Sequence, residues 1–118
     1  MLPARHRLRT SADFTSAVRG PGAKRAGGRL IVVHVNQTDA RADLPPRVGL
    51  VVSKAVGSAV VRNRTKRRLR HVAASHIAEI PCGTDVVVRA NPSAADADYP
   101  ELEAAFVRQL AKVCGGRA

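Results

Sequence analysis

The densest chemistry in the chain lies in the nine residues from Arg62 to Arg70, of which six are basic, and the first acid after Ser58 is Glu79. Arg62, Lys66 and Arg70 recur every four residues with Asn63 and Arg67 beside them, so at about 100° per residue they share one helix face. Like charges four apart, as in Arg62/Lys66, Arg64/Arg68 and Lys66/Arg70, each cost an isolated helix roughly 0.2–0.5 kcal/mol. Cations near a helix start also oppose its dipole. Nothing nearby in the sequence offsets either cost. A partner bringing negative charge would, and a polyphosphate backbone carries it at the right density. The plainer reading is a solvated basic helix without a partner, but charge runs on solvated faces mostly mix signs.

No second group of residues is arranged for catalysis. General acid-base chemistry needs paired carboxylates or a His beside a nucleophile, and metal-assisted phosphodiester cleavage needs clustered acids. Nine acids are present, but Asp39, Asp43, Asp96, Asp98, Glu101 and Glu103 are expected in loops or at an exposed helix start. Cys82 and Cys114 stand apart without a CxxC, and His6, His34, His71 and His76 form no pair at i,i+4, so neither a disulfide nor a metal site is expected. The glycines between Gly20 and Gly28 lack the GxxxxGK[ST] order of a phosphate loop.

The basic segment is set by what surrounds it. Ser58 can cap a helix that Gly57 lets the chain enter sharply. Val61, Thr65, Leu69, Val72, His76 and Ile80 supply an apolar stripe opposite the charges, and Pro81 closes a helix expected over 58–79. The apolar run from Val48 to Ser53 precedes it as a strand, and Asp85 to Arg89 follows as another. Upstream, Thr10 or Ser11 caps a short helix with Phe14, Ala17 and Val18 on its apolar side, ended by Gly20-Pro21. A short strand near Ala23 to Ala26 and a longer one over Arg29 to Asn36 come next, then a polar loop over 37–46. Pro100 opens a last helix carrying Leu102, Ala105, Phe106, Leu110 and Val113 inward, which Gly115-Gly116 stops. The expected fold is an α/β (α+β) two-layer sandwich: a four-stranded sheet with about three helices in the order αβββαβα. Residues 48–89 make a strand-helix-strand crossover if the two strands are parallel.

At 118 residues the chain is expected to be one domain over 1–118, with 1–9 a basic N-terminal arm. Twenty Lys+Arg against nine Asp+Glu give a formal charge of +11, which points to nucleic acid or an anionic membrane surface. No run approaches the ~18 apolar residues of a membrane span, and the N-terminus lacks the apolar core of a secretory signal, so a cytoplasmic protein is expected. Only four of the basic residues are lysine; arginine's planar fork suits phosphates and base edges.

Gly49-Leu50-Val51-Val52-Ser53-Lys54, followed by Gly57-x-Ala59-Val60-x-Arg62-Asn63-Arg64-x-Lys66-Arg67-x-x-Arg70, resembles the signature segment of the protein subunit of bacterial ribonuclease P. Arg7-Leu8-Arg9, Asp13-Phe14 and Gly20 give a second, separate anchor to that family. The resemblance implies an endoribonuclease whose large RNA holds Mg2+ and removes the 5′ leader of precursor tRNA, with the protein as non-catalytic subunit, monomeric and one-to-one with the RNA. Arg62, Asn63, Arg64, Lys66, Arg67 and Arg70 would then contact the catalytic RNA, with Lys54 at the edge of that surface. The leader would run between the first helix and the sheet, past Phe14, Val18, Val33 and Arg89. The resemblance also implies a left-handed crossover.

Val18 and Val33 occupy positions where aromatics are expected in that cleft, and Ala55 stands where a second lysine often follows Lys54, so leader binding is expected to rest more on shape and charge than on stacking. Phe14 reads equally as a stacking platform or a core residue, and His34 as a packed or cleft-lining one. Composition alone fits a ribosomal or general structured-RNA-binding protein of similar fold, and a self-sufficient nuclease is the remaining alternative.

Overall fold

The computed structural model describes residues 4–8, 10–20, 22–37 and 43–114. Part of the basic arm, half of the 37–46 loop and the Gly115-Gly116 stop lie outside the described residues. The elements are α1 (Ser11–Arg19), β1 (Lys24–Gly27), β2 (Ile31–Gln37), β3 (Arg47–Val51), α2 (Ala59–Ser75), β4 (Thr84–Ala90) and α3 (Tyr99–Cys114). One four-stranded sheet runs in the order β1-β2-β4-β3. β1 with β2 and β2 with β4 are antiparallel, while β3 and β4 are parallel, so residues 47–90 do form the expected crossover.

Period-two alternation sorts the central strands between two unequal faces. Ile31, Val33 and Val35 of β2 and Val86, Val88 and Ala90 of β4 join Val48, Leu69, Val72, Leu102 and Phe106 in the main core, between the sheet and the α2/α3 layer. Leu8, Ala17 and Val87 form a smaller cluster on the other side, with Phe14, Val18 and Val51 packed against it. That second face is crossed by three rows of paired residues: Asn36, Asp85 and Arg47; then Arg25, His34, Val87 and Gly49; then Gly27, Val32, Arg89 and Val51. At nine residues, about 13 Å long, α1 is too short to cover them all.

Two sets of contacts hold α1 over the first rows. The Arg47 guanidinium donates from Nε and Nη2 to both Asp85 oxygens at 2.9 and 2.8 Å and from Nη1 to Asp13 Oδ2 at 3.2 Å, joining α1, β3 and β4. The hydrogen bonds with Asp85 outweigh partial burial and raise the Arg47 pKa above its ordinary value. At the other end Asn36 Nδ2 donates to the Ser16 carbonyl at 2.8 Å. Within the arm, His6 and Leu8 are pinned to the start of β3: Leu8 is buried, its amide donates to the Val48 carbonyl at 3.1 Å, and the His6 ring is hydrogen bonded to the Pro46 carbonyl at 2.8 Å.

Local capping follows the sequence closely. Thr10 Oγ1 accepts from the Asp13 amide at 3.1 Å, and Asp98 and Glu101 cap the start of α3 reciprocally, each side chain accepting from the other's amide. Ser58 Oγ accepts from the Val61 amide at 3.3 Å. No acid lies in the first turn of α2, so Ser58→Ala should cost about 1 kcal/mol and Ser58→Gly a few tenths, read by urea unfolding.

The α-helix expected to reach residue 79 stops at Ser75, where a short 3-10 turn over Ile77–Glu79 begins. There the His76 ring bridges Glu79 Oε2 through Nδ1 at 2.6 Å and Glu103 Oε2 through Nε2 at 2.8 Å. Glu103 is thus engaged with α2 instead of standing free in solvent. Burial opposes charging that ring, but the bonds to Glu103 and Glu79 outweigh it and raise its pKa. A pKa raised on folding means the folded state binds the extra proton. The stabilisation is therefore complete below the unfolded value of about 6.5 and is lost as pH rises through the folded value. The stability difference between the parent and His76→Ala should shrink as pH rises above about 6.5, and a difference that grows would reverse this sign.

Candidate nucleic-acid interface

Thr65, Leu69, Val72 and Ala73 form the buried side of α2. Around the helix from that side, Arg62, Lys66 and Arg70 are half-buried along the flank facing β3, and Asn63 and Arg67 are exposed beyond them. Lys54 is exposed in the short 3-10 turn that delivers the chain from β3 into α2. Six of the sequence-expected RNA contacts thus continue one surface from the end of β3 along α2, and Arg64 lies round the helix on the flank away from β3. The Nε atoms of Arg62 and Arg64 are buried without a partner among the described residues, so their stems lie along the protein. Arg68 has a structural use, donating from Nη1 to the Ala97 carbonyl at 2.7 Å.

The ion pairs among the described residues join Arg47 to Asp13 and Asp85, and His76 to Glu79 and Glu103; none involves an arginine or lysine of α2. Among the described residues, then, the absence of neutralising acids read from the sequence persists after folding, when residues distant in sequence could have supplied them.

The sheet face that α1 leaves uncovered forms a second surface. A hollow of about 380 Å³ there is lined by Phe14, Thr15, Val18, Arg19, Val51 and Val87. Arg89 is exposed on the same face, in the row with Val32 and Val51. Val18 and Arg89 stand where the leader cleft was expected. Val33 does not: it has no exposed surface and lies in the main core. Alternation along β2 puts Val32 and His34 on the open face instead.

His34 is flanked by Arg25 on β1 and lies beside Arg89 on β4, and burial together with Arg89 and Arg25 lowers its pKa. Arg25, Val51 and Val87 were not picked out as lining this face from the sequence, whereas His34 was read as a packed or cleft-lining residue. Strand parity was the available signal, but it is weak in a strand whose residues from Val33 to Asn36 are all buried.

Phe14 is half-buried and serves both surfaces. A Cβ on Gly49 would collide with its ring, so the aromatic edge rests on the β3 backbone. One side of the ring bounds the hollow just described; the other bounds a pocket of about 160 Å³ between the Arg7-Leu8 segment, β3 and α2, with Lys66 and Arg70 at its rim. Among the described residues no group of three or more His, Cys, Asp or Glu could hold a metal ion, neither Cys82 nor Cys114 is in a disulfide, and no helix is long and apolar enough to cross a membrane.

The chain matches the family model for Ribonuclease P over residues 2–114. It is 47% identical over 124 residues to the ribonuclease P protein component of Streptomyces griseus, covering 100% of this chain and 99% of that one. With the corresponding component of Kocuria rhizophila the identity is 55% over 102 residues, 86% of each chain. Among solved structures it superposes on the Staphylococcus aureus RNase P protein with a TM-score of 0.78 at 27% identity, covering 92% of this chain and 94% of the other. For the Thermotoga maritima RNase P protein the TM-score is 0.73 at 25% identity, with 88% and 94% covered.

Proposed function

The chain belongs to the ribonuclease P protein family, and from that membership we propose that it is the non-catalytic subunit of the ribonucleoprotein, with phosphodiester cleavage carried by the RNA subunit and the Mg2+ that RNA holds. Membership ties the chain to ribonuclease P activity, tRNA processing and RNA binding. The α2 face from Arg62 to Arg70, with Lys54, docks on the RNA subunit. The 5′ leader of precursor tRNA lies on the open sheet face past Phe14, Val18 and Arg89, in a one-to-one complex of protein monomer and RNA in the cytoplasm. The observation that carries this reading is the row of cations on α2 left without ion pairs among the described residues.

The protein's part in the reaction is electrostatic and positional. Its cations lower the cost of bringing two polyanions together, and the groove across Phe14 limits the paths open to a single strand leaving the ribozyme surface. Mg2+ would supply the Lewis-acid chemistry on the RNA side. No protein group is assigned a proton-transfer step.

The test is reconstitution with the ribonuclease P RNA at limiting Mg2+, scored by removal of the precursor-tRNA leader. Trimming is expected only with RNA and protein together, and Mg2+-dependent cleavage by RNA-free protein contradicts the proposal. A competition in which structured ribosomal RNA binds as well as the ribonuclease P RNA would favour a general RNA-binding role.

A further inference from the structure

The pocket on the α2 side of Phe14 differs in kind from the open hollow on the other side. Arg7, Lys66 and Arg70 converge on its rim, no acid among the described residues lines it, and Leu8, Leu50 and the Phe14 ring give it an apolar floor. Its walls are backbone-braced: the Arg7-Leu8 segment bridges in parallel to Val48, and Gly49 brings the ring down onto the strand. At about 160 Å³ it falls below the roughly 300–1,000 Å³ of sites that take drug-sized ligands, so it suits a single flat group. Three like charges around an apolar slot repel one another unless an anion joins them. A ligand that is flat and apolar at one end and anionic at the other satisfies both features.

We propose that this pocket receives one unstacked nucleotide of the bound RNA, its base against Phe14 and the apolar floor and its phosphate held by Lys66, Arg70 and Arg7. The inference rests on the RNA-binding reading above and adds to it a subsite distinct from the open sheet face. Phe14 then separates two binding surfaces, and a strand passing from α2 to the sheet crosses it.

The test titrates 5′-AMP, and in parallel ribose 5-phosphate, into the full-length protein while backbone amide resonances are followed. AMP should shift Leu8, Gly49 and Leu50 saturably and bind roughly tenfold or more tighter than the base-free probe, as stacking on an aromatic requires. Phe14→Leu should abolish that difference, and Lys66→Gln with Arg70→Gln, on a half-exposed flank where folding is undisturbed, should weaken both probes. Displacement of AMP by the ribonuclease P RNA assigns the nucleotide to the ribozyme, and displacement by a leader oligonucleotide assigns it to the substrate.

Equal affinity for the two probes, shifts confined to Val51, Val87 and Arg89, no response up to the solubility limit of AMP, or displacement by neither RNA overturns the pocket. Binding of the ribonuclease P RNA, measured separately by filter retention, distinguishes the failures. If that binding is intact while the pocket is silent, the subsite alone is wrong; if it is absent, the reading beneath it fails too.

Discussion

Replacing Arg62, Lys66 and Arg67 together by alanine should weaken binding to the ribonuclease P RNA by about two orders of magnitude while leaving the protein at least as stable as before. Three partly solvated ionic interactions at about 1 kcal/mol each sum to roughly 3 kcal/mol, or about a hundredfold in affinity. The slope of log affinity against log salt should flatten by about two to three units, since each phosphate that is no longer neutralised lowers it by about 0.7–0.9. Stability should move the other way. The Arg62/Lys66 repulsion worth roughly 0.2–0.5 kcal/mol disappears and alanine is the better helix former. Filter binding across a salt series and urea melts read the two effects separately. A triple variant that binds normally, or loses affinity only because it unfolds, would contradict this assignment of the α2 face.

The second large effect is expected at Arg47, which pairs with Asp85 on the sheet face opposite α2. Its guanidinium is the bidentate partner of Asp85, which is 5% exposed, and it reaches Asp13 on α1 as well. Removing one member of a buried pair leaves the other desolvated, at a cost of about 3–5 kcal/mol when both are fully buried. The Arg47 side chain is 18% exposed, so about 2–4 kcal/mol is expected for Arg47→Ala. Arg47→Met combined with Asp85→Asn should recover much of it, because the buried charge goes with its partner. Function should divide. Affinity for a leader oligonucleotide should fall as α1 loosens from the sheet, while binding to the RNA subunit through α2 stays within a fewfold. Equal losses for both ligands would show that α1 does not shape the leader face separately.

The contrast between these sites reflects what kinds of information a chain carries locally. The α2 face could be read in advance because a four-residue recurrence of charge, a Ser58 cap and an opposite apolar stripe are all local, and no distant acid among the described residues folds back to cancel them. Thr10 and Gly20 announced the two ends of α1 for the same reason. The Arg47 network joins residues 34 and 38 positions apart, so no periodicity could reveal it.

On β2 the error at Val33 has a different origin. A central strand buried along most of its length has no polar-apolar alternation to set its parity, and a one-residue misreading moves every side chain to the wrong face. At the end of α2, Pro81 suggested a helix running nearly to it, whereas the His76 amide bonds to the Ala73 carbonyl and the ring is drawn between Glu79 and Glu103. That second carboxylate arrives from α3, 27 residues away.

The most direct test of the docking surface is a density map of the protein assembled with the ribonuclease P RNA. RNA phosphates are expected within about 3 Å of the Arg62, Lys66, Arg67 and Arg70 head groups, at charge-assisted hydrogen-bond distance. An α2 face open to solvent in that map, with the RNA seated on another part of the molecule, would contradict it.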